Sequence, residues 1–197
     1  MSFRDPSTPV PAGLETDEFV LRPIVADDAA IDHAAVMESR EYLRLWEQSA
    51  WPEDDFTVEA NREDLLRMEE RHAAHRAFTF AVLDPTGSQS LGCVYIFPTS
   101  ATFLARSTVT RVADEEWAEV DAVAYFWVRR SRMETGLDAR LLAALRDWFS
   151  TEWGLARTVY VTNEQFTAQV DLIAGTELRL LFELREPDKP GTYLAFG

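Results

Sequence analysis

The sequence predicts one α/β domain (α+β in its layout), with a central mixed, mostly antiparallel twisted sheet flanked by helices. Three observations predict it. The apolar periodicity switches between two and 3.6 residues along the chain. β-rich runs sit beside one another as a hairpin early on and alternate with helical runs later. No repeat, low-complexity stretch or shift of composition divides the 197 residues.

The elements follow in order. Residues 1–17, rich in Pro, Ser and Thr, read as a flexible leader, and the domain proper spans 18–197. "EFVLRPI" alternates and then meets Pro23, which predicts a first strand. "ADDAAIDHAAVMES" predicts a helix, with Asp27 or Asp28 as cap and Ile31, Ala34, Ala35 and Met37 at helical spacing. "EYLRLWEQSAWPEDDF" predicts a second short helix and an acidic loop. "TVEANREDLLRMEERHAAH" predicts a third helix capped by Thr57. Phe78 to Leu83 and Leu91 to Phe97 flank "DPTGSQS" as a hairpin. The run from Thr99 to Asp121 reads as extended chain with an irregular excursion. "AVAYFWV" is the central strand, aromatic and β-branched. Then come a helix from Gly136, the strand "ARTVYVTN", a helix ending at Gly175, and a last strand pair joined by "PDKPG".

The formal charge is −15, with 34 acidic against 19 basic residues. A nucleic-acid partner is excluded on this ground, because neutralising phosphates needs a basic face. An acidic surface suits cationic small molecules or basic peptide segments, and it also simply confers solubility. The apolar runs are too short for a membrane span, and the N-terminus lacks a secretory h-region. A single cysteine, Cys93, precludes an internal disulfide and fits a reducing cytoplasm. Lys189 is the only lysine beside many arginines, the coding bias of a high-GC bacterial genome.

The stretch that carries chemistry is "AYFWVRRSRMETGLDARLLAALRDWF". A strand, a basic turn with one glycine and a helix N-terminus together form a cradle for an anion. With "FVLRPIVADDAAID", "LGCVYIF" and "VTNEQFTAQVDLIAGTEL" standing in this order, the chain resembles the GNAT superfamily of N-acetyltransferases over almost everything after Glu18. Their motif A usually reads G-Y-W-V-R-P-E-Y-R-G-K-G-L-G-x-x-L-L. Trp127, Val128, Arg129, Gly136, Leu137, Leu141 and Leu142 match it here. The resemblance implies acetyl-coenzyme A as acyl donor, lying between strands that splay after Val128. Its pyrophosphate would sit on the turn, beside Arg129, Arg130, Arg132 and Gly136, and Asn163 would contact the cofactor. It implies transfer of an acetyl group to a primary amine of a small cationic molecule or peptide.

The chain departs from that pattern at identifiable places. Glu134 and Asp138 stand where glycines are usual, so the turn has two readings. Either the three arginines offset the carboxylates and hold a pyrophosphate, or Asp138 caps a helix that no longer binds one. The tyrosine often used as general acid falls near Val170, leaving Tyr160 and Tyr193 as substitutes or as structural residues. A second functional reading is therefore a catalytically inactive ligand-binding or dimerising module; a homodimer is a separate expectation for either reading.

Attack by an amine needs a base. Asp121 and Glu119, at the entry to the central strand, are the candidate catalytic carboxylates; a solvated acidic loop, shared with Glu115 and Glu116, is the alternative. Trp46 and Trp51 flank "EQSAWPEDD" and are candidate walls of a substrate pocket. His72 and His75 share a helix face but lack the companions a zinc site needs, so no metal is expected. Cys93 reads as a small buried hydrophobe.

Overall fold

The computed structural model describes residues 3–197. The first two residues of the segment read as a leader lie outside the described residues. Within that segment β1 (Leu14–Glu15) pairs antiparallel with β2 (Val20–Pro23). The Arg4 guanidinium donates to the Trp153 carbonyl at 2.7 Å, and Phe3 and Val10 pack on the core.

A 3-10 turn, Ala26–Asp28, leads into α1 (Ala29–Glu47). The two short helices expected between residues 28 and 47 are one. No proline or glycine interrupts the run, and Ala35, Val36, Tyr42, Leu43 and Trp46 keep one apolar face buried to its end. The helix stops at Gln48, which takes a left-handed conformation (φ 54°). The helix α2 (Val58–Ala73) starts as expected on Thr57, whose side chain accepts from the Ala60 N–H at 3.1 Å. Next come β3 (Phe78–Leu83) and β4 (Ser90–Phe97), the expected hairpin. The irregular excursion holds α3 (Thr102–Arg106) and β5 (Thr108–Arg111). The remainder is β6 (Ala122–Val128), α4 (Arg130–Met133), α5 (Leu137–Thr151), β7 (Thr158–Asn163), α6 (Thr167–Ala174), β8 (Leu180–Arg185) and β9 (Tyr193–Phe196).

The nine strands of the described residues make one sheet in the order β1-β2-β3-β4-β6-β7-β9-β8-β5. Every pair is antiparallel except β6 with β7. Both faces are covered, as a buried central strand requires. The alternation along β6 divides its side chains between two cores. Ala122, Ala124, Phe126 and Val128 pack with α5 through Leu141, Leu145, Trp148 and Phe149. Val123, Tyr125 and Trp127 pack on the opposite face with Val36, Leu43 and Trp46 of α1. Gly92 lies where β4 crosses the end of β6: a Cβ there would collide with the Trp127 carbonyl, so only glycine permits the approach.

Candidate functional site

The single parallel pair positions the site. β6 and β7 are in register only at Ala122–Thr158, Val123–Val159 and Ala124–Tyr160. Beyond Ala124 they part, while β6 stays paired with β4 to its end at Gly92–Val128. The carbonyls of β6 that face the parting need other partners. Gln169 of α6 donates its side-chain N–H to the Phe126 carbonyl at 2.9 Å. The Tyr42 hydroxyl of α1 donates to the Val128 carbonyl. The Tyr42 ring stacks on Phe166 at 5.1 Å and 10°, so the parting is bridged from both flanking helices. Gln169 is 4% exposed, and its side-chain carbonyl oxygen has no partner.

The turn after β6 places the basic cluster. Arg129 does not stand free: its guanidinium pairs with Glu38 of α1 at 2.5 Å. The other Glu38 oxygen accepts from the Ser131 N–H at 3.0 Å, and the Ser39 hydroxyl accepts from the Arg130 N–H at 3.0 Å. The Arg129 guanidinium and the Ser131 hydrogen bond hold the Glu38 carboxyl down at about 2. A carboxylate of the chain itself thus sits on the amides and the guanidinium that an anion would use. Arg130 and Arg132 are exposed and have no carboxylate within ion-pair distance among the described residues. They flank the N-terminus of α5, where Gly136 is the cap residue in left-handed conformation (φ 72°). Asp138 does not cap that helix; its carboxylate accepts only from the next N–H, Ala139, at 2.9 Å. Glu134 is exposed.

These residues fit the pyrophosphate end of coenzyme A through Arg130, Arg132 and the start of α5. Along β6, the carbonyls of Phe126 and Val128 are taken by Gln169 and Tyr42. Glu38→Gln removes the internal anion while keeping the side chain's shape. Titration with inorganic pyrophosphate is expected to show roughly tenfold tighter binding for that variant, about 1.4 kcal/mol. Unchanged affinity would remove Glu38 from the account.

On the α1 and α2 side of the sheet lies a cavity of about 410 Å³. Trp46 and Trp51 both line it, with Tyr95, Phe97, Tyr125 and Tyr193 from the sheet. Trp46 meets Tyr125 edge-on at 6.2 Å, and Tyr125 meets Tyr193 edge-on at 6.3 Å. Glu47, Asp64 and Glu186 contribute carboxylates, Arg67 and Arg71 guanidiniums. Glu47 is held by Lys189 at 2.6 Å, and Asp64 by Arg67. Burial pushes the Glu186 carboxyl up. The Tyr125 hydroxyl and the Trp46 indole N–H are buried without a hydrogen-bond partner. Burial also raises the Tyr125 hydroxyl pKa, so it stays protonated.

The other residues singled out from the sequence are dispersed. Asp121 and Glu119 lie at the entry to β6, where β6 and β7 are still paired, and not at the parting. There the Arg157 N–H donates to Asp121 at 2.9 Å and the Arg157 guanidinium meets Glu119 at 3.1 Å. Trp127 is core, its indole N–H donating to the Tyr95 hydroxyl at 3.2 Å. Val128 is buried on the opposite face, beside α5. Asn163 is fully buried: its side-chain N–H donates to the Leu45 carbonyl, and its oxygen accepts from Gln165 N–H at 3.0 Å. Tyr160 is buried against Phe149, and the Tyr193 hydroxyl donates to the Glu47 carbonyl at 3.0 Å. His72 and His75 pack edge-on against Phe78, and burial lowers the His72 pKa. Cys93 is buried, which raises its thiol pKa. No group of metal-ligating side chains occurs among the described residues.

Glu38, Tyr42, Gln169, Tyr125 and Glu186 carry the site and were not singled out from the sequence. Only Tyr125 had a local signal, as an aromatic in the central strand. The others come from helices and a loop distant in the chain.

No family model matches the chain, and neither does any curated protein. Solved structures do. The ribosomal-protein-S5-alanine acetyltransferase of Vibrio fischeri superposes with a TM-score of 0.68 at 18% identity, over 94% of this chain and 95% of that one. RimJ of Mycobacterium smegmatis, solved with a coenzyme A disulfide, gives 0.66 at 18% identity over 95% of this chain and 82% of that one. The microcin C7 self-immunity acetyltransferase MccE, solved with acetyl-coenzyme A and AMP, gives 0.67 at 12% identity over 95% and 96%. With its single parallel pair parting beside a helix N-terminus, the chain has the fold of the GNAT N-acetyltransferases.

Proposed function

We propose that the protein is an acyl-coenzyme A dependent N-acetyltransferase acting on a primary amine. One observation carries the reading: Tyr125, the residue at which β6 leaves β7, also lines the aromatic cavity. The place for a donor and the place for an acceptor meet at one side chain. Bound acetyl-coenzyme A supplies an activated carbonyl. The chain's own residues do the rest. Glu186, half-buried and with a raised pKa, suits the removal of a proton from an ammonium in the cavity. This role replaces the one expected of Asp121 and Glu119, which face Arg157. The Tyr125 hydroxyl, protonated and without a partner, suits the delivery of a proton at the parting. The similarity to a ribosomal-protein-alanine acetyltransferase and to a microcin self-immunity acetyltransferase supports an amine acceptor in general.

A second reading has its own observation. The bridging of the parting by Gln169 and Tyr42 favours a module that binds at the cavity and does no acyl transfer.

Calorimetric titration with acetyl-coenzyme A and with coenzyme A separates the two. The enzyme reading expects saturable heat and, with an amine supplied, an acetylated product by mass spectrometry. Silence at millimolar ligand would leave the module reading standing.

A further inference from the structure

The cavity has more chemical detail than an amine site requires, and the detail selects a class of acceptor. Its volume of about 410 Å³ lies toward the small end of the roughly 300–1,000 Å³ typical of ligand pockets. Rings of Trp46, Trp51, Tyr95 and Tyr125 wall it, a surface suited to a flat apolar body and to a cation over a ring face. Its charges are not equivalent. Glu47 and Asp64 are already paired with Lys189 and Arg67. Among the described residues, Glu186 and Arg71 have no such partner. One unpaired carboxylate and one unpaired guanidinium therefore border a single aromatic cavity. The buried Trp46 indole N–H and Tyr125 hydroxyl also lack partners.

Together these features ask for a cation, an anion and a ring in one small molecule. We infer that the cavity takes a zwitterionic primary amine on a flat apolar body, the chemistry of an aromatic amino acid. Its ammonium faces Glu186, its carboxylate faces Arg71, and its ring lies among the aromatic walls. The inference deepens the acetyltransferase reading by naming the acceptor class, and in that sense rests on it.

The test is binding without any acyl donor, so its result is independent of coenzyme A. L-Tryptophan, tryptamine, indole-3-propionate, spermidine and a hexapeptide starting with serine are titrated calorimetrically into the full chain. Tryptophan is expected to bind roughly tenfold more tightly than tryptamine and than indole-3-propionate, each of which lacks one charged contact. Arg71→Gln should erase the gap between tryptophan and tryptamine. Glu186→Gln should erase the gap between tryptophan and indole-3-propionate. Glu186→Gln is isosteric and Arg71 is exposed, so both changes leave the core untouched, and a thermal melt checks that each variant is folded. Spermidine or the peptide binding as tightly as tryptophan would overturn the proposal, and so would absence of tryptophan binding to the folded protein. If tryptophan binds and coenzyme A does not, the cavity assignment stands and the enzyme reading falls. The reverse pair of results sinks the acceptor class alone.

Discussion

Gln169→Ala is expected to tighten coenzyme A binding by roughly fivefold. A ligand running along β6 needs the Phe126 carbonyl, and in the resting protein that carbonyl accepts from Gln169 at 2.9 Å. The ligand must first break this bond. Net hydrogen bonds of this kind are worth about 0.5–1.5 kcal/mol, and each 1.4 kcal/mol is tenfold in affinity. The bridge is a poor one for the side chain itself. Its oxygen is buried with no donor, so the amide satisfies one group and strands another. Removing it costs the unliganded fold about 1 kcal/mol through the exposed carbonyl, and the ligand recovers that cost on binding. The measurement is calorimetry on wild type and variant, with a thermal melt for each. A lower Tm with unchanged affinity would make Gln169 a packing residue only. Tighter binding with a lower Tm is the signature of a group that occupies a ligand's place.

The largest effect on stability is expected at Asp32, on α1. Its carboxyl is 4% exposed, and one oxygen accepts from the Asn61 amide at 3.0 Å while the other has no partner. Burial raises its pKa from 3.8 to about 6, against a smaller opposing effect from Asn61. The folded chain therefore binds more protons than the unfolded chain between these two values. Stability contributed by the protonated form is fully present below 3.8 and is lost as pH rises through about 6. At neutral pH the buried charge costs about 3 kcal/mol. Asp32→Asn keeps the acceptor for Asn61 and removes the charge. Urea unfolding should show a gain of about 2 kcal/mol at about pH 8, shrinking toward nothing near pH 4. A gain independent of pH, or a loss at pH 8, would show that the charge is matched by something else in the fold.

Neither residue is marked by the sequence pattern. The apolar spacing of Ile31, Ala34, Ala35 and Met37 does not single out Asp32, whereas in the fold Asp32 lies on the buried face with Ala35, Val36 and Ser39. Nothing along the chain marks Gln169. It lies one turn into a helix, and its importance comes from reaching a carbonyl 43 residues away. The basic turn is partly legible. Arg129, Arg130, Arg132 and Gly136 are legible as an anion cradle from local spacing alone. That Arg129 is taken by Glu38, 91 residues earlier, is not. The sequence draws attention to Glu134 and Asp138 as carboxylates in the turn, whereas in the fold the carboxylate on its amides is Glu38.

The element types and most of their order were determined by the sequence alone. Periodicity, caps and turn residues are local, and each depends on a few neighbours: Thr57 capping α2, the "DPTGSQS" hairpin, the β-branched run of β6. So was the acidic balance, 34 acidic against 19 basic residues. The merging of two expected helices into α1 was decided by tertiary packing, which buried one continuous face through Trp46. The parting of β6 from β7, the helix side chains that bridge it, and the choice of which acid meets which arginine were decided there too. So was the meeting of Trp46 and Trp51 with Tyr125 and Glu186 around one cavity. The physical reason is common to all five. Ion pairs and hydrogen bonds select partners by distance in space, and a side chain's environment is set by elements that the sheet order brings together. Local sequence records which groups are available, but only the fold records which of them meet.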